Sequence, residues 1–351
     1  MLTAVVGINW GDEGKGRMVD LFSAEHEIVV RYQGGNNAGH TVVNERGKFV
    51  LNLLPSGILR PGTVNVLGPG MVLDLEHLTN EVAHIREQGV AITPEHLKIS
   101  DRATICMPYH KMMDILEEDR LADKKFGSTR RGIGPVYADK YMKKTLRTGD
   151  LLFPDKLREK LADLVEWKNI TVQGYGHEPV SVDEMYAWLE KYAFPWREYL
   201  CNTTEYLSAQ ADAGKSILFE AQLGALRDID FGIFPYTSSS SSNAGYACVG
   251  AGMPGSHVDR TVGIVKAYST CVGEGPFTAE MFGEEAEKLR AAGGEYGAAT
   301  GRPRRVGPFD IPASKYGAMV QGCDYIALTK LDVLSYMDKI PVCVAYDIDG
   351  E

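Results

Sequence analysis

The first glycine-rich loop carries the residues best suited to chemistry. Residues 11–16 read Gly-Asp-Glu-Gly-Lys-Gly, between a strand-like run and a stretch that can start a helix. Backbone N–H groups of such a turn can hold phosphate oxygens, and Lys15 adds a positive charge. The loop departs from the regular phosphate-binding motif, because Asn9 stands where the first glycine is required and Gly16 replaces Ser or Thr. Asp12 suits a Mg²⁺ ligand or a base that takes a proton from a second substrate; an aspartate that ends a turn is the alternative.

Three further loops combine glycine with polar or cationic side chains. Residues 34–41 include His40, whose imidazole could donate to charge that develops on a transferred phosphoryl group, although a lone histidine more often packs. Residues 124–135 and 297–305 mix glycines, hydroxyls and cations, and arginine grips phosphates and carboxylates through two N–H groups. In an acidic protein this positive charge indicates sites for anionic ligands, whereas the lysines of 140–144 are more simply explained as a solvated face.

The segment 329–332, Thr-Lys-Leu-Asp, resembles the Asn-Lys-x-Asp element with which GTP-binding proteins read guanine. Its carboxylate can accept from N1 and the exocyclic amine of guanine, and the stem of Lys330 can cover the base. Two other motifs carry less information. The glycines of 250–255 match a dinucleotide-binding pattern but follow no clear strand, so we reject that site. The serines of 238–242 fit either a ligand loop or an ordinary turn.

Short apolar runs alternate with helical spacing along the chain and would position these loops. Uninterrupted β-branched runs of this length suit strands that are buried on both faces. Helical spacing appears at 75–85 and 157–165, and Ser181 with Glu184 has the spacing of a capping box. Strands that alternate with helices predict an α/β fold with a large, mainly parallel β-sheet flanked by helices. The predicted strands are 4–6, 28–30, 64–67, 217–219, 263–267, 325–328 and 342–346.

Length and composition exclude several classes of protein. The 351 residues carry 47 acidic and 37 basic side chains, and the net charge of −10 argues against a protein that coats nucleic acid or lies on an anionic membrane. An apolar content of 44% excludes global disorder. No stretch approaches the roughly 18 apolar residues that cross a bilayer, and the six cysteines stand singly. The sequence therefore predicts a cytosolic protein without a disulfide framework or a zinc site.

Taken together, the motifs resemble those of the adenylosuccinate synthetase family, ligases that join IMP to L-aspartate with GTP as the energy donor. The resemblance covers essentially the whole chain, and it implies a P-loop NTPase-like fold, one Mg²⁺ ion and a homodimeric enzyme of AMP biosynthesis. The segments that carry it are Trp10-Gly-Asp-Glu-Gly-Lys-Gly16, Arg31-Tyr-Gln-Gly-Gly-Asn-Asn-Ala-Gly-His-Thr41, Gly132-Ile-Gly-Pro135, Lys266-Ala-Tyr-Ser-Thr270, Val272-Gly273, Gly275-Pro-Phe277, Gly301-Arg302 and Thr329-Lys-Leu-Asp332.

The resemblance implies roles for individual residues. Asp12 would remove the proton from N1 of IMP and would bind Mg²⁺ together with the carbonyl of Gly39. His40 would stabilise the γ-phosphoryl group as it moves to the purine O6, and the aspartate amine would then displace the phosphate. The implied GTP-binding residues are Gly11, Asp12, Glu13, Gly14, Lys15, Gly39, His40, Thr41, Arg304, Lys330, Leu331 and Asp332.

Two further sets of residues follow from the same resemblance. Lys143 stands where the family usually sends an arginine across the dimer to the IMP phosphate, a change that keeps the charge but loses the bidentate fork. The implied IMP-binding residues are Asp12, Asn37, Ala38, Gly39, His40, Thr129, Lys143, Gln222, Ser238 and Arg302. The implied aspartate-binding residues are Ala298, Ala299, Thr300, Gly301, Arg302 and Arg304.

The chain departs from the family pattern in two further respects that affect function. Most members read Glu-Gly-Ala-Gln-Gly where residues 220–224 read Glu-Ala-Gln-Leu-Gly, so the glutamine that contacts IMP stands one place early, as Gln222. This shift leaves open a ligase for another 6-oxopurine nucleotide, and a GTP-binding protein without ligase chemistry is a further alternative. Family chains continue beyond a strand and Asp-Gly turn such as 342–350. We therefore expect one domain over 1–351, with helical insertions at about 75–90 and 150–215, that lacks the C-terminal part of the family domain.

Overall fold

The computed structural model describes residues 1–37, 39–44, 47–124, 126–296 and 303–350, which form strands and helices joined by short turns. The strands are β1 (Leu2–Gly7), β2 (Ile28–Arg31), β3 (His40–Asn44), β4 (Gly47–Leu51), β5 (Val64–Leu67), β6 (Val72–Leu73), β7 (Leu97–Ser100), β8 (Thr104–Ile105), β9 (Leu200–Cys201), β10 (Ile217–Glu220), β11 (Arg260–Lys266), β12 (Ser269–Cys271), β13 (Arg305–Gly307), β14 (Phe309–Asp310), β15 (Tyr325–Thr329) and β16 (Val342–Cys343). The helices are α1 (Lys15–Phe22), α2 (Leu75–Glu87), α3 (Pro108–Leu121), α4 (Ile133–Tyr141), α5 (Pro154–Gly174), α6 (Val182–Tyr192), α7 (Thr203–Asp212), α8 (Ala247–Ala251), α9 (Gly283–Gly293) and α10 (Ile311–Gln321).

Eight of the strands form one sheet in the order β15-β11-β1-β10-β2-β5-β7-β9. Each neighbouring pair in this sheet is parallel. In the register at the centre, Ala4 of β1 lies between Phe219 of β10 and Thr261 of β11. Because the strands all point the same way, their carboxyl ends and the loops that follow meet at one edge of the sheet, where open α/β sheets bind their ligands.

The central strands are buried on both faces, which is why their sequences are uninterrupted apolar runs. Along β1, Ala4 and Val6 belong to the apolar cluster on one face together with Phe219, whereas Val5 belongs to the cluster on the other face together with Val19 of α1. All five side chains are fully buried. The largest apolar cluster lies farther along the sheet, where α2 and α5 pack around β7.

Most of the predicted elements are confirmed, and one is wrong in length. All the predicted strands before 342–346 correspond to strands of the parallel sheet. The helical spacings correspond to α2 and α5. Ser181 caps α6 by accepting from the backbone N–H of Glu184. The strand predicted at 342–346 is only two residues long and pairs with β14 outside the main sheet. The reason is that the hydroxyl of Tyr346 donates to Asp310, so this segment is tied to the start of α10.

The described helices include none with the length and apolar character needed to cross a membrane.

Helix α10 approaches the segment after β1 so closely that one position requires glycine. A Cβ at Gly317 would lie 1.9 Å from the carbonyl oxygen of Ile8. Four residues later, the side-chain amide of Gln321 donates to the carbonyl of Gly7. Helix α10 therefore holds in place the chain segment that leads into the first glycine-rich loop.

The replacement Gly317→Ala should lower the free energy of unfolding by about 1–3 kcal/mol, because the added methyl group overlaps a backbone oxygen that cannot move aside cheaply. Urea unfolding of both proteins measures the difference. Gly174→Ala, at the end of α5, is the matched control, since a Cβ there meets no atom within 4 Å. Equal midpoints for Gly317→Ala and the parent protein would contradict the close approach of α10.

Candidate active site

The loop after β1 has a backbone conformation that few residues adopt. Gly11 and Gly14 have φ of 104° and 92°, and Asp12 lies in the left-handed region with φ of 60°. For a residue with a Cβ this conformation costs roughly 1–2 kcal/mol, so the surrounding structure must hold Asp12 there. Gly14 is the N-cap of α1, and the first N–H groups of that helix therefore face the loop.

Lys15 and Glu13 form a buried ion pair within this loop. The Nζ of Lys15 lies 2.5 Å from Oε2 of Glu13. The other carboxylate oxygen accepts from the backbone N–H groups of Asn9 and Gly11. Glu13 therefore holds both the curve of the loop and the position of the Lys15 ammonium group.

His40 starts β3 and pairs with Glu220 at the carboxyl end of β10. Its Nδ1 lies 2.8 Å from Oε1 of Glu220, and the same carboxylate accepts from the backbone N–H and the hydroxyl of Ser56. A Cβ at Gly16 would lie 2.8 Å from the Cβ of His40, so the histidine packs against the first turn of α1. The structure thus brings both predicted catalytic residues to the same helix N-terminus.

The electrostatics of this pair favour a neutral histidine beside an ionised glutamate. Burial lowers the pKa of the His40 imidazole, and the hydrogen bond to Glu220 partly opposes that shift. Burial alone would raise the pKa of Glu220, but the hydrogen bond from His40 and the nearby Arg31 lower it overall. At pH 7 the imidazole is therefore neutral, with its proton on Nδ1, and Nε2 is able to take a second proton when negative charge arrives beside it.

Gln222 is fully buried in a hydrogen-bond network just after β10. Its Oε1 accepts from Arg31 at 2.7 Å, and its Nε2 donates to Asn37 at 2.7 Å. Leu223 has a φ of 63° and lies against the first loop, where a Cβ at Gly11 would be 3.7 Å from its Cδ2. The structure therefore joins the predicted IMP-binding residues Gln222 and Asn37, and it puts an apolar side chain next to the first loop.

The predicted guanine-reading segment and Arg304 also contact the first loop. The hydroxyl of Thr329 donates to the carbonyl of Glu13 at 2.7 Å. The Nε of Arg304 lies 3.2 Å from Oδ2 of Asp12, whose side chain is 33% exposed. Residues 330–332 are exposed. Asp12 and the segment 330–332 are therefore accessible to ligands at the same edge of the sheet.

Ser238 and Thr129 stand on two loops that touch one another. Thr129 is exposed in the loop before α4. The rings of Phe126 in this loop and Tyr236 before the serine-rich loop meet edge to face, with centroids 6.2 Å apart, so the two loops lie side by side. Lys143 is exposed just after α4, with a φ of 62°.

Several predicted residues lie outside the described part of the chain. They are Ala38 of the IMP-binding set, and Ala298, Ala299, Thr300, Gly301 and Arg302 of the aspartate-binding set. Their roles stay predictions.

The two predicted oxygen donors are of the kind that binds a Mg²⁺ ion shared with a nucleotide. Asp12 offers an exposed carboxylate, and Gly39 offers a backbone carbonyl. In the part of the chain that the structure describes, no group of three or more His, Cys, Asp or Glu side chains could hold a metal ion. Mg²⁺ is commonly held by one or two carboxylates together with substrate phosphates and water, and this donor set matches that pattern.

Two buried carboxylates of the site were not predicted to be functional. Glu220 holds His40, and Glu295 accepts from Nη1 of Arg304 at 2.6 Å. Glu220 had a usable signal, because it is a charged residue at the end of an uninterrupted apolar strand. Glu295 lies in a glycine-rich stretch after α9 and has no such pattern around it.

NMR of the purified protein with ¹⁵N-labelled histidine measures the state of His40. We expect the proton on Nδ1 and a pKa below the ordinary value of about 6.5, because burial disfavours the charged ring. Glu220→Gln should lower that pKa further, since the charged acceptor that favours the imidazolium is lost. The unfolded chain binds a proton that the folded His40 does not, so this residue should reduce stability as the pH falls below about 6.5. A doubly protonated ring at pH 7 would contradict the assignment.

Comparisons with known proteins agree on one family. A family model described as adenylosuccinate synthetase matches residues 4–351. The chain is 46% identical over 348 residues to adenylosuccinate synthetase 2 of Pseudoalteromonas translucida, a match that covers 98% of this chain and 82% of that protein. It is 45% identical over 343 residues to the adenylosuccinate synthetase of Halothermothrix orenii, covering 97% of this chain and 80% of that protein.

Solved structures agree with this result. The fully ligated adenylosuccinate synthetase of Plasmodium falciparum has a TM-score of 0.90 at 34% identity, over 97% of this chain and 79% of that one. A succinoaminodeoxyadenylate synthetase of cyanophage S-2L, bound to dGMP and to dATP as an energy donor, has a TM-score of 0.65 at 21% identity, over 95% of this chain and 87% of that one, and this shows a shared fold. The expected P-loop NTPase-like fold is confirmed. The chain belongs to the adenylosuccinate synthetase family, GTP-using ligases that convert IMP to adenylosuccinate in purine biosynthesis.

Proposed function

We propose that this chain joins IMP and L-aspartate into adenylosuccinate, converts GTP to GDP and phosphate, and works through a 6-phosphoryl-IMP intermediate. The observation that carries the proposal is the meeting of three elements at one edge of the sheet. They are the loop of Asp12 and Lys15, the His40–Glu220 pair, and the segment 330–332. A phosphate-binding loop, an adjacent base and a guanine-reading segment are the groups that such a ligation requires.

The first half of the reaction converts O6 of IMP into a good leaving group. Asp12 takes the proton from N1, and the electrons shift through C6 to O6, which attacks the γ-phosphorus of GTP. The bond to the β–γ bridging oxygen breaks, and GDP leaves. Lys15 and the N–H groups at the start of α1 stabilise the charge on the transferred group. His40 supports them when Nε2 becomes protonated beside the phosphates, with Glu220 holding the imidazolium.

The second half forms the new C–N bond. The amine of aspartate attacks C6, the C6–O6 bond breaks, and the amine's surplus proton leaves with the phosphate. Arg304 is the described residue proposed to bind a carboxylate of aspartate, because a guanidinium can grip it with two N–H groups. The remaining aspartate-binding residues are proposed to be those of 298–302.

Different loops are proposed to bind the different substrates. Lys330 and Asp332 are proposed to read guanine, and Asn37, which Gln222 holds, contacts IMP together with Thr129 and Ser238. One Mg²⁺ ion would be held by Asp12 and the carbonyl of Gly39 together with the nucleotide phosphates. When bound, it supplies positive charge for phosphoryl transfer.

A ligase for a different 6-oxopurine nucleotide is the second candidate, and the position of Leu223 favours it. This apolar side chain lies beside the first loop, where the family usually has the glutamine that contacts IMP. A site that hydrogen-bonds a group of its substrate rejects compounds without that group more strongly than a site that offers only apolar contact. Product formation from IMP and from GMP in parallel reactions distinguishes the two candidates.

We expect Asp12→Asn and His40→Ala each to slow adenylosuccinate formation by about 10²–10⁴-fold, because a positioned proton acceptor or donor contributes that much to a rate. Product is measured by absorbance and chromatography with IMP, L-aspartate, Mg²⁺ and GTP, and with ATP in place of GTP. Asp155→Asn and His84→Ala are controls at exposed positions, and circular dichroism checks folding. GTP hydrolysis that persists in both site variants, with no adenylosuccinate from the parent protein, would favour the GTP-binding alternative.

The enzyme is further proposed to be a homodimer in which Lys143 reaches the IMP phosphate of the neighbouring site. Lys143 is exposed after α4, and the two residues before it expose apolar side chains, Tyr141 at 75% and Met142 at 57%. Exposed aromatic and apolar side chains next to a cation are typical of an interface.

Mixed dimers test this arrangement. Asp12→Asn and Lys143→Ala chains should each be nearly inactive alone. Mixing them after mild dissociation should restore about a quarter of the parent activity, because random pairing gives half mixed dimers, each with one intact site. No recovery, from chains that native mass spectrometry shows to have formed mixed dimers, would mean that Lys143 serves the site of its own chain. A Lys143→Ala chain that is active alone would mean that Lys143 serves no site.

A further inference from the structure

Glu295 holds four donors from three segments of the chain in one buried cluster. Its carboxylate has no exposed surface. Oε1 lies 3.0 Å from Nζ of Lys266, accepts from the hydroxyl of Tyr268, and lies 3.7 Å from Nζ of Lys330. Oε2 accepts from Nη1 of Arg304 at 2.6 Å. These contacts bring the cations of three loops to a single carboxylate.

The cluster spans the carboxyl ends of three adjacent strands. Lys266 ends β11, and Lys330 follows β15. Arg304 extends the cluster to the loop after β1, because its Nε lies 3.2 Å from Oδ2 of Asp12. The strands β15, β11 and β1 are neighbours in the sheet. Glu295 therefore connects the segment proposed to read guanine with the loop that carries the proposed base.

The positive charges in this cluster can lie close together because the carboxylate of Glu295 offsets their repulsion. Burial alone would raise the pKa of Glu295, but Lys266, Tyr268 and Arg304 lower it to about 2, so the carboxylate is ionised. Without that charge the buried Lys266 and Arg304 would repel each other where water is largely excluded. Within the described residues, Asp12 is the other carboxylate that pairs with Arg304. Without the charge of Glu295, Arg304 would therefore shift toward Asp12.

We infer that Glu295 is a positioning residue of the ligation. It keeps the Arg304 guanidinium divided between two carboxylates, so that Arg304 is held in position to bind the carboxylates of aspartate. The inference rests on the proposed function, because Arg304 takes its role from it.

Steady-state kinetics of Glu295→Gln test this role. The amide keeps the shape of the side chain but cannot neutralise Lys266 and Arg304. We expect KM for aspartate to rise tenfold or more, kcat/KM for aspartate to fall about a hundredfold, and KM for IMP to change by less than about twofold. Glu280→Gln is the control, since Glu280 makes a more exposed pair with the neighbouring Arg305, whose Nε lies 2.9 Å from Oε1. Its three KM values should stay within about twofold of the parent.

A double variant separates positioning from stability. Lys266→Met combined with Glu295→Gln removes the buried ammonium that the single change leaves unpaired, and urea unfolding should show recovered stability. Arg304 still lacks its carboxylate, so KM for aspartate should remain raised. The inference is overturned if the double variant recovers the parent KM for aspartate, or if folded Glu295→Gln already has it. A parent protein that forms no adenylosuccinate would overturn the proposed function, and this inference with it.

Discussion

Buried carboxylates at the carboxyl edge of the sheet hold the basic side chains of the candidate site. The pairs are Glu13 with Lys15, Glu220 with His40, and Glu295 with Lys266 and Arg304. Loss of one partner of a buried pair typically costs about 3–5 kcal/mol, because the remaining charge is neither hydrated nor paired. Each of these basic side chains is therefore confined to a narrow range of positions. Pairing within the protein holds the polar side chains of this edge in place. The charged groups of the site are therefore positioned before a ligand binds.

The parallel sheet is what brings these carboxylates together. Glu220 ends β10, Glu13 follows β1, and Glu295 pairs with Lys266 at the end of β11. These three strands are neighbours, so loops that are far apart in the chain lie side by side. Antiparallel strands would send alternate loops to the opposite edge. The parallel direction of the strands therefore determines the edge of the sheet at which the chemistry can occur.

Local patterns predicted the elements that depend on local forces. The strands β1, β2 and β10 were recognisable because burial on both faces demands an uninterrupted apolar run, and the cap at Ser181 depends on residues within one helical turn. The two-residue strand β9 left no such pattern. The segment 342–346 resembles a strand in composition, but a tertiary hydrogen bond from Tyr346 to Asp310 determines its path. Where short strands form depends on tertiary contacts, which the spacing of residues along the chain does not reveal.

The fold class, the family and the loops that could bind phosphate are predictable from the sequence, because they follow from apolar periodicity and from residues that are neighbours in the chain. Which side chains meet depends on the tertiary structure. His40 and Glu220 are 180 positions apart, Arg31 and Gln222 are 191 apart, and Thr329 and Glu13 are 316 apart. Their contacts depend on strand order and register, which no local pattern specifies. The same reason explains why Glu295, with no recognisable motif around it, lies at the centre of the charges that the site uses.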